Sequence, residues 1–157
     1  MPESPNNNDL YSYMEQALKE ARQSEEDVPV GAVIVQDGSV IALGVNERER
    51  TLDPTGHAEI VAIRKVAQHL NNWRLAGCTI YVTLEPCAMC AEALIQARVS
   101  TIVFGAYDPR SGACGSLFNL FIEGRPYPMP EIVGGIMEAE CKQLLTDFFR
   151  NREGTGE

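Results

Sequence analysis

The stretch Cys78-Thr79-Ile80-Tyr81-Val82-Thr83-Leu84-Glu85-Pro86-Cys87-Ala88-Met89-Cys90 passes from strand-like to helix-like sequence within a few residues. Residues 78–84 are apolar and rich in β-formers, which predicts a buried strand. Glu85-Pro86 ends it, because proline disfavours helix at the residue before it and so fixes where the next element begins. An alanine-rich segment with Leu94 and Ile95 then predicts a short helix over 87–97, and 101–104 predicts a further strand. Strand, helix and strand in this order imply a parallel, right-handed crossover.

The flanking sequence extends the pattern. Residues 30–35 and 40–45 are β-rich, and Asp37-Gly38 between them is a hairpin signal. Before them, Asp9 suits an N-cap, and Leu10, Tyr13, Met14, Ala17, Leu18 and Ala21 follow at helical spacing. Residues 46–56 read as a charged loop containing Pro54, and a second helix runs from His57 until Asn71-Asn72 closes it. Beyond the central unit come a loop over 108–115, a short helix over 116–121 and a proline-rich segment, 124–130, that excludes regular helix. A short strand over 131–133 and an amphipathic helix over 136–150 complete the chain. The expected fold is α/β: a three-layer α/β/α sandwich around a five-stranded mixed sheet. It forms a single domain over 1–157, with 1–8 a loose arm and 153–157 a tail.

Length and composition suit that reading. The 157 residues match one domain, and 45% hydrophobic with 22% charged residues excludes a disordered or fibrous chain. The formal net charge is −9, which argues against a general electrostatic grip on nucleic acid while leaving room for a local basic patch. No apolar run approaches the roughly 18 residues of a membrane span, and the N-terminus lacks the features of a signal peptide. The expected compartment is therefore the cytoplasm, where an odd set of five cysteines favours metal or redox chemistry over disulfides.

Chemistry concentrates in His57-Ala58-Glu59 and Pro86-Cys87-Ala88-Met89-Cys90. Cysteines three apart at a helix start share a face, with Cβ atoms about 5–6 Å apart, close enough for two thiolates to bind one zinc at about 2.3 Å. The helix N-terminus favours the thiolates. His57 is a third ligand; His69, about 18 Å further along the same helix, is too distant. Three ligands and one open corner describe a catalytic zinc. Two helical steps turn a side chain by about 200°, so Glu59 is expected beside the open corner as a proton carrier, not on the metal. Taken alone, the cysteine pair is also compatible with a redox site, His57 with a helix cap and Glu59 with a solvated first-turn acid. Together, H-x-E and P-C-x-x-C form a zinc deaminase signature.

On these residues the chain resembles the cytidine deaminase-like superfamily, and within it the bacterial tRNA adenosine deaminases. Further matching stretches are Val28-Pro29-Val30-Gly31-Ala32-Val33, Asp53-Pro54-Thr55-Gly56 leading into His57, Val103-Phe104-Gly105-Ala106 and Asp147-Phe148-Phe149-Arg150. The resemblance implies zinc-dependent hydrolysis of adenosine to inosine at the wobble position of a tRNA anticodon, one Zn2+ per chain, and a homodimer whose pocket is walled partly by the neighbour. It also implies substrate contacts from Asn46, the backbone of Ala58 and Asp108 near the ribose; Asn46 and Asp108 are equally ordinary turn residues. Phe148 and Phe149 point about 100° apart on their helix, so one can pack while the other, expected to be Phe149, stacks on an RNA base. Arg150 and Arg152 suit phosphates or a solvated helix end, and Trp73, Cys78, Cys114 and Cys141 read as packing residues. Tyr127-Pro128-Met129 departs from the Asn-His-Arg that the tRNA enzymes usually carry. It keeps open a deaminase of a free nucleobase such as guanine. A non-catalytic zinc-binding module is a third reading, against which an intact Glu59 weighs.

Overall fold

The structure, a computed structural model, describes residues 4–153. Residues 1–3 of the expected arm and 154–157 of the expected tail lie outside the described residues. The hairpin forms as its turn dictates: β1 (Gly31–Gln36) and β2 (Ser39–Val45) are joined by Asp37 and Gly38 at φ 51° and 75°. Positive φ at both turn positions matches the twist of the flanking strands. β3 (Cys78–Leu84) pairs antiparallel with β1, Val33 opposite Tyr81, and parallel with β4 (Thr101–Ala106), Ile80 beside Ile102. β5 (Glu131–Val133) adds parallel to β4, giving a five-stranded mixed sheet in the order β2-β1-β3-β4-β5.

Alternation along the strands feeds two cores. Ala32, Ile34, Ile80, Val82, Ile102 and Phe104 face one side, where Ala62 and Val66 of α3 (Ala58–Leu70) and Leu94 of α4 (Ala88–Gln96) cover them. Val33, Val35, Tyr81 and Val103 face the other side, against Met14, Ala17 and Leu18 of α1 (Asn7–Ala21) and Cys141 of α5 (Glu138–Glu153). A sheet buried on both faces explains why β3 reads as a continuous apolar run rather than an alternating one. The three layers are those expected, and no helix among the described residues is long and apolar enough to cross a membrane.

The boundaries differ where capping and turn chemistry override periodicity. The cap of α1 is Asn6, whose Oδ1 accepts from the Asp9 amide at 2.9 Å, so Asn7 and Asn8 are helical and Asp9 lies in the first turn. The expected loop 46–56 contains a one-turn helix, α2 (Arg48–Thr51), closed by Leu52 at φ 56°. Its N-terminus is held from afar: the buried Asp27 carboxylate accepts from the amides of Glu49 at 2.6 Å and Arg50 at 3.2 Å. Residues 116–121 are not helical; Cys114 bridges Asn119, and Gly115, at φ 127°, donates to the Phe118 carbonyl at 2.8 Å. Met137 at φ 55° delays α5 to Glu138, and the helix runs on through Glu153. Trp73 is 53% exposed rather than packed, with the Arg74 guanidinium 4.3 Å from its ring centre, whereas Cys78 and Cys141 are buried.

Gly44 brings α3 close to the sheet: a Cβ there would run into the carbonyl oxygen of Ala58 in the first turn of that helix. Gly44→Ala is expected to cost about 1–3 kcal/mol through overpacking, read as a lower urea midpoint at unchanged m-value.

Candidate active site

α3 and α4 pack on the same face of the sheet, and each starts with a metal-binding residue type. His57 is the N-cap residue of α3 and Cys87 that of α4, both in extended backbone with φ −72° and −73°. Neither side chain caps its own helix, and both turn toward each other. Cys90, one turn into α4, is fully buried. The Nδ1 atom of His57 lies 3.7 Å from the Cys87 Sγ and 3.5 Å from the Cys90 Sγ, and the three atoms lie within 4.8 Å of one another. Bonds of about 2.3 Å to sulfur and 2.0 Å to nitrogen at the tetrahedral angle require an N···S spacing of about 3.5 Å. His57, Cys87 and Cys90 are thus positioned to bind one metal ion, and two thiolates with an imidazole are a zinc donor set.

The electrostatics of the cluster follow from its contacts. The hydrogen bond shared with Cys90, aided by His57, lowers the Cys87 thiol to about 4. Cys90 moves upward, through that same bond and its burial. His57 is raised chiefly by its contact with Cys87. Burial pushes Glu59 up to about 7, and the neighbouring imidazole acts in the opposite direction. A bound divalent cation would pull Glu59 the same way as the imidazole.

The cluster borders a cavity of about 590 Å³, a volume suited to a small organic group. His57 and Cys87 line it, as does Glu59, only 4% exposed. Ala58, at the first helical position of α3, presents one of the backbone N–H groups that a helix start leaves without an intrahelical partner. Asn46 also lines the cavity; its Nδ2 donates to the Val28 carbonyl at 3.1 Å and its Oδ1 accepts from the Arg48 amide at 3.3 Å. Asp108 has a structural role that the structure displays. It lines the cavity, and its Oδ1 organises a turn by accepting from the amides of Arg110 at 3.0 Å and Ser111 at 3.3 Å. Phe149 is 47% exposed on the cavity rim, with Phe148 half-buried edge-on to it at 5.2 Å. Arg150 lies 3.9 Å from Asp147, and Arg152 donates to the Glu26 carbonyl at 3.2 Å.

One residue at this site had no pattern to announce it. The Glu85 carboxylate is 2% exposed, lines the cavity and accepts from the amides of Asp108 at 3.0 Å, Cys114 at 2.9 Å and Ser116 at 3.2 Å, and from the Ser116 hydroxyl. The only sequence signal was an acid prolonging an otherwise buried strand. Tyr127, by contrast, is not on the cavity: its hydroxyl accepts from Gln96 at 2.7 Å, at the far end of α4 from Cys87.

A three-donor zinc set with a buried acid on the wall of an adjoining cavity defines the class of zinc-dependent hydrolases. Residues 7–106 match the cytidine and deoxycytidylate deaminase zinc-binding region, and the chain belongs to that family. Among curated relatives, the tRNA-specific adenosine deaminase of Bacillus subtilis is 47% identical over 140 residues, covering 88% of this chain and 87% of that protein. The enzyme of the same name from Haemophilus influenzae is 43% identical over 142 residues, covering 88% and 82%. A solved structure from work on A-to-I editing by tRNA:A34 deaminases superposes with TM-score 0.79 at 41% identity, covering 85% of this chain and 99% of that one.

Cys87→Ser is expected to abolish stoichiometric zinc, and with it the stabilisation that zinc confers. At free zinc a hundredfold above its Kd that stabilisation is about 2.7 kcal/mol, or roughly 5–10 °C in Tm for a domain of this size. Metal analysis and thermal melts with and without chelator check both parts.

Proposed function

We propose that this protein hydrolytically deaminates adenosine to inosine at the wobble position of a tRNA anticodon. The observation that carries the reading is a buried carboxyl, Glu59, on the wall of the same cavity that His57 and Cys87 line. The substrate follows from near full-length similarity to enzymes named for tRNA adenosine.

His57, Cys87 and Cys90 would hold the zinc, whose Lewis acidity makes a water molecule nucleophilic near neutral pH. Glu59 takes a proton from the attacking water, delivers it to the ring nitrogen beside the attacked carbon, and passes the second to the departing amine. Water and adenosine become inosine and ammonia. Asn46 and the Ala58 backbone fix the base, Asp108 lies at the ribose, and Phe149 stacks on a neighbouring base, a contact worth about 1–3 kcal/mol in single-strand binders. A tRNA substrate fits a cytoplasmic enzyme. The working unit is a homodimer, its interface drawn from the segment 117–122, where Leu117, Phe118 and Ile122 are each more than half exposed. Sedimentation of the wild-type chain and a Phe118→Ser variant tests this; a monomeric wild type removes the dimer.

Glu59→Ala is expected to keep its zinc and lose turnover by about a hundredfold to ten-thousandfold. The assay offers an anticodon stem-loop bearing wobble adenosine, and separately guanine, cytosine and free adenosine. Conversion of a small molecule alone overturns the tRNA reading, and loss of zinc from the Glu59 variant overturns its proton-carrying role.

A further inference from the structure

The cavity has two walls of different origin. One comes from the starts of α3 and α4; the other is the loop 108–116, which brings Asp108, Pro109, Arg110 and Ser111 to the cavity but belongs to no helix or strand. A loop of this kind needs something to hold it at a fixed height above the zinc ligands. Backbone pairing supplies part of the tie: Cys87 bridges Gly112, and the Ala113 amide donates to the Pro86 carbonyl at 2.8 Å.

We propose that Glu85 is a positioning residue for the reaction, its buried carboxylate setting the placement of the 108–116 wall against the metal cluster. Glu85 is fixed at its own end by its amide, which donates to the Ala106 carbonyl at 2.8 Å, and it stands two residues before Cys87. Oε1 reaches the start of the loop at the Asp108 amide, 3.0 Å, and Oε2 reaches its end at the Cys114 and Ser116 amides, 2.9 and 3.2 Å. One carboxylate thus spans both ends of the wall. Gly112 leaves the room for it, since a Cβ there would overlap the Glu85 carboxyl carbon.

The donors among the described residues are neutral N–H and O–H groups, and burying a carboxyl group against them is a costly arrangement that a purely space-filling residue would avoid. A carboxylate is the side chain that accepts at both oxygens. Glutamine has the same shape but must turn an NH2 group toward either the Asp108 side or the Cys114 and Ser116 side, donor against donor. Misplacement of a substrate-positioning wall by about 1 Å can lower rates a hundredfold without touching the chemistry.

The inference rests on the deaminase reading above, and its test separates the two. Glu85→Gln is expected to retain one zinc per chain and to lose about tenfold to a hundredfold in kcat/KM on the stem-loop, mostly through KM. In an Asp108→Ala background the same change should cost less than about threefold, because the group it positions is gone. Independently of any substrate, hydrogen exchange at the amides of Asp108, Cys114 and Ser116 should quicken in Glu85→Gln while α4 and the sheet stay protected. Unchanged exchange, equal losses in both backgrounds, or zinc lost with activity overturns the proposal. If the variant does not fold, Gly112→Ala, which displaces the same carboxylate from the loop side, is read by the same measurements. If the wild type converts no stem-loop, the substrate assignment falls and the exchange result still decides Glu85.

Discussion

The site depends on one constraint: two helix N-termini must arrive at the same end of the same sheet face. His57 and Cys87 are the residues at which α3 and α4 begin, and neither spends its side chain on its own helix. Small residues make the approach possible. Gly44 admits the first turn of α3, and Ala58 and Ala62 of α3 and Ala91 of α4 are fully buried. The first-turn amides of α4 favour negative charge on Cys87, and a cation bound by Cys87 and Cys90 would draw its third ligand, His57, from the other helix start. Fold and metal site support each other, since bound zinc ties together two elements whose packing aligns its ligands.

The parts of this arrangement that were legible in the sequence are those that depend on spacing along one element. Cys87 and Cys90 declare themselves because three residues at a helix start put two sulfurs on one face. The hairpin declares itself because Asp37-Gly38 tolerates positive φ. The apolar run of β3 and the alanine-rich start of α4 place a strand before a helix, and the layered fold follows. What could not be read are contacts made across the chain. Asp27 caps α2 from 22 residues away, and Glu85 ties down amides 23 to 31 residues on. A carboxylate accepting from distant backbone amides leaves no periodic trace. The helix expected over 116–121 fails for a related reason: Gly115 and the Cys114–Asn119 bridge settle the backbone locally, so that Leu117 and Phe118 are exposed while Phe121 packs on the core, a split that no helical periodicity announces.

A formal charge of −9 is compatible with a polyanionic substrate once charge is counted locally. Arg48 and Arg110 line the cavity, while the acids beside them are engaged: Glu59 is buried, Glu85 is saturated by amides, and Asp108 accepts from two more. At physiological ionic strength charges are screened over about 8 Å, so a phosphate at the rim would respond chiefly to the charges that line it. The acidic surface then costs association rate and lends salt sensitivity, without preventing a local contact.

The departure at Tyr127-Pro128-Met129 is explained by where it sits. Arg98 donates to the carbonyls of Ile95 and Gln96, capping the C-terminal end of α4, and its guanidinium lies 4.2 Å from the centre of the Tyr127 ring. Gln96 adds a hydrogen bond to the Tyr127 hydroxyl. The segment therefore completes a helix end that the length of α4, nine residues or about 14 Å, separates from Cys87. Tyr127 thus helps finish α4 and forms no part of the cavity wall. Asn46, Ala58, Glu59 and Asp108 line the cavity and residue 127 does not, so the segment 127–129 belongs to the surface away from the cavity.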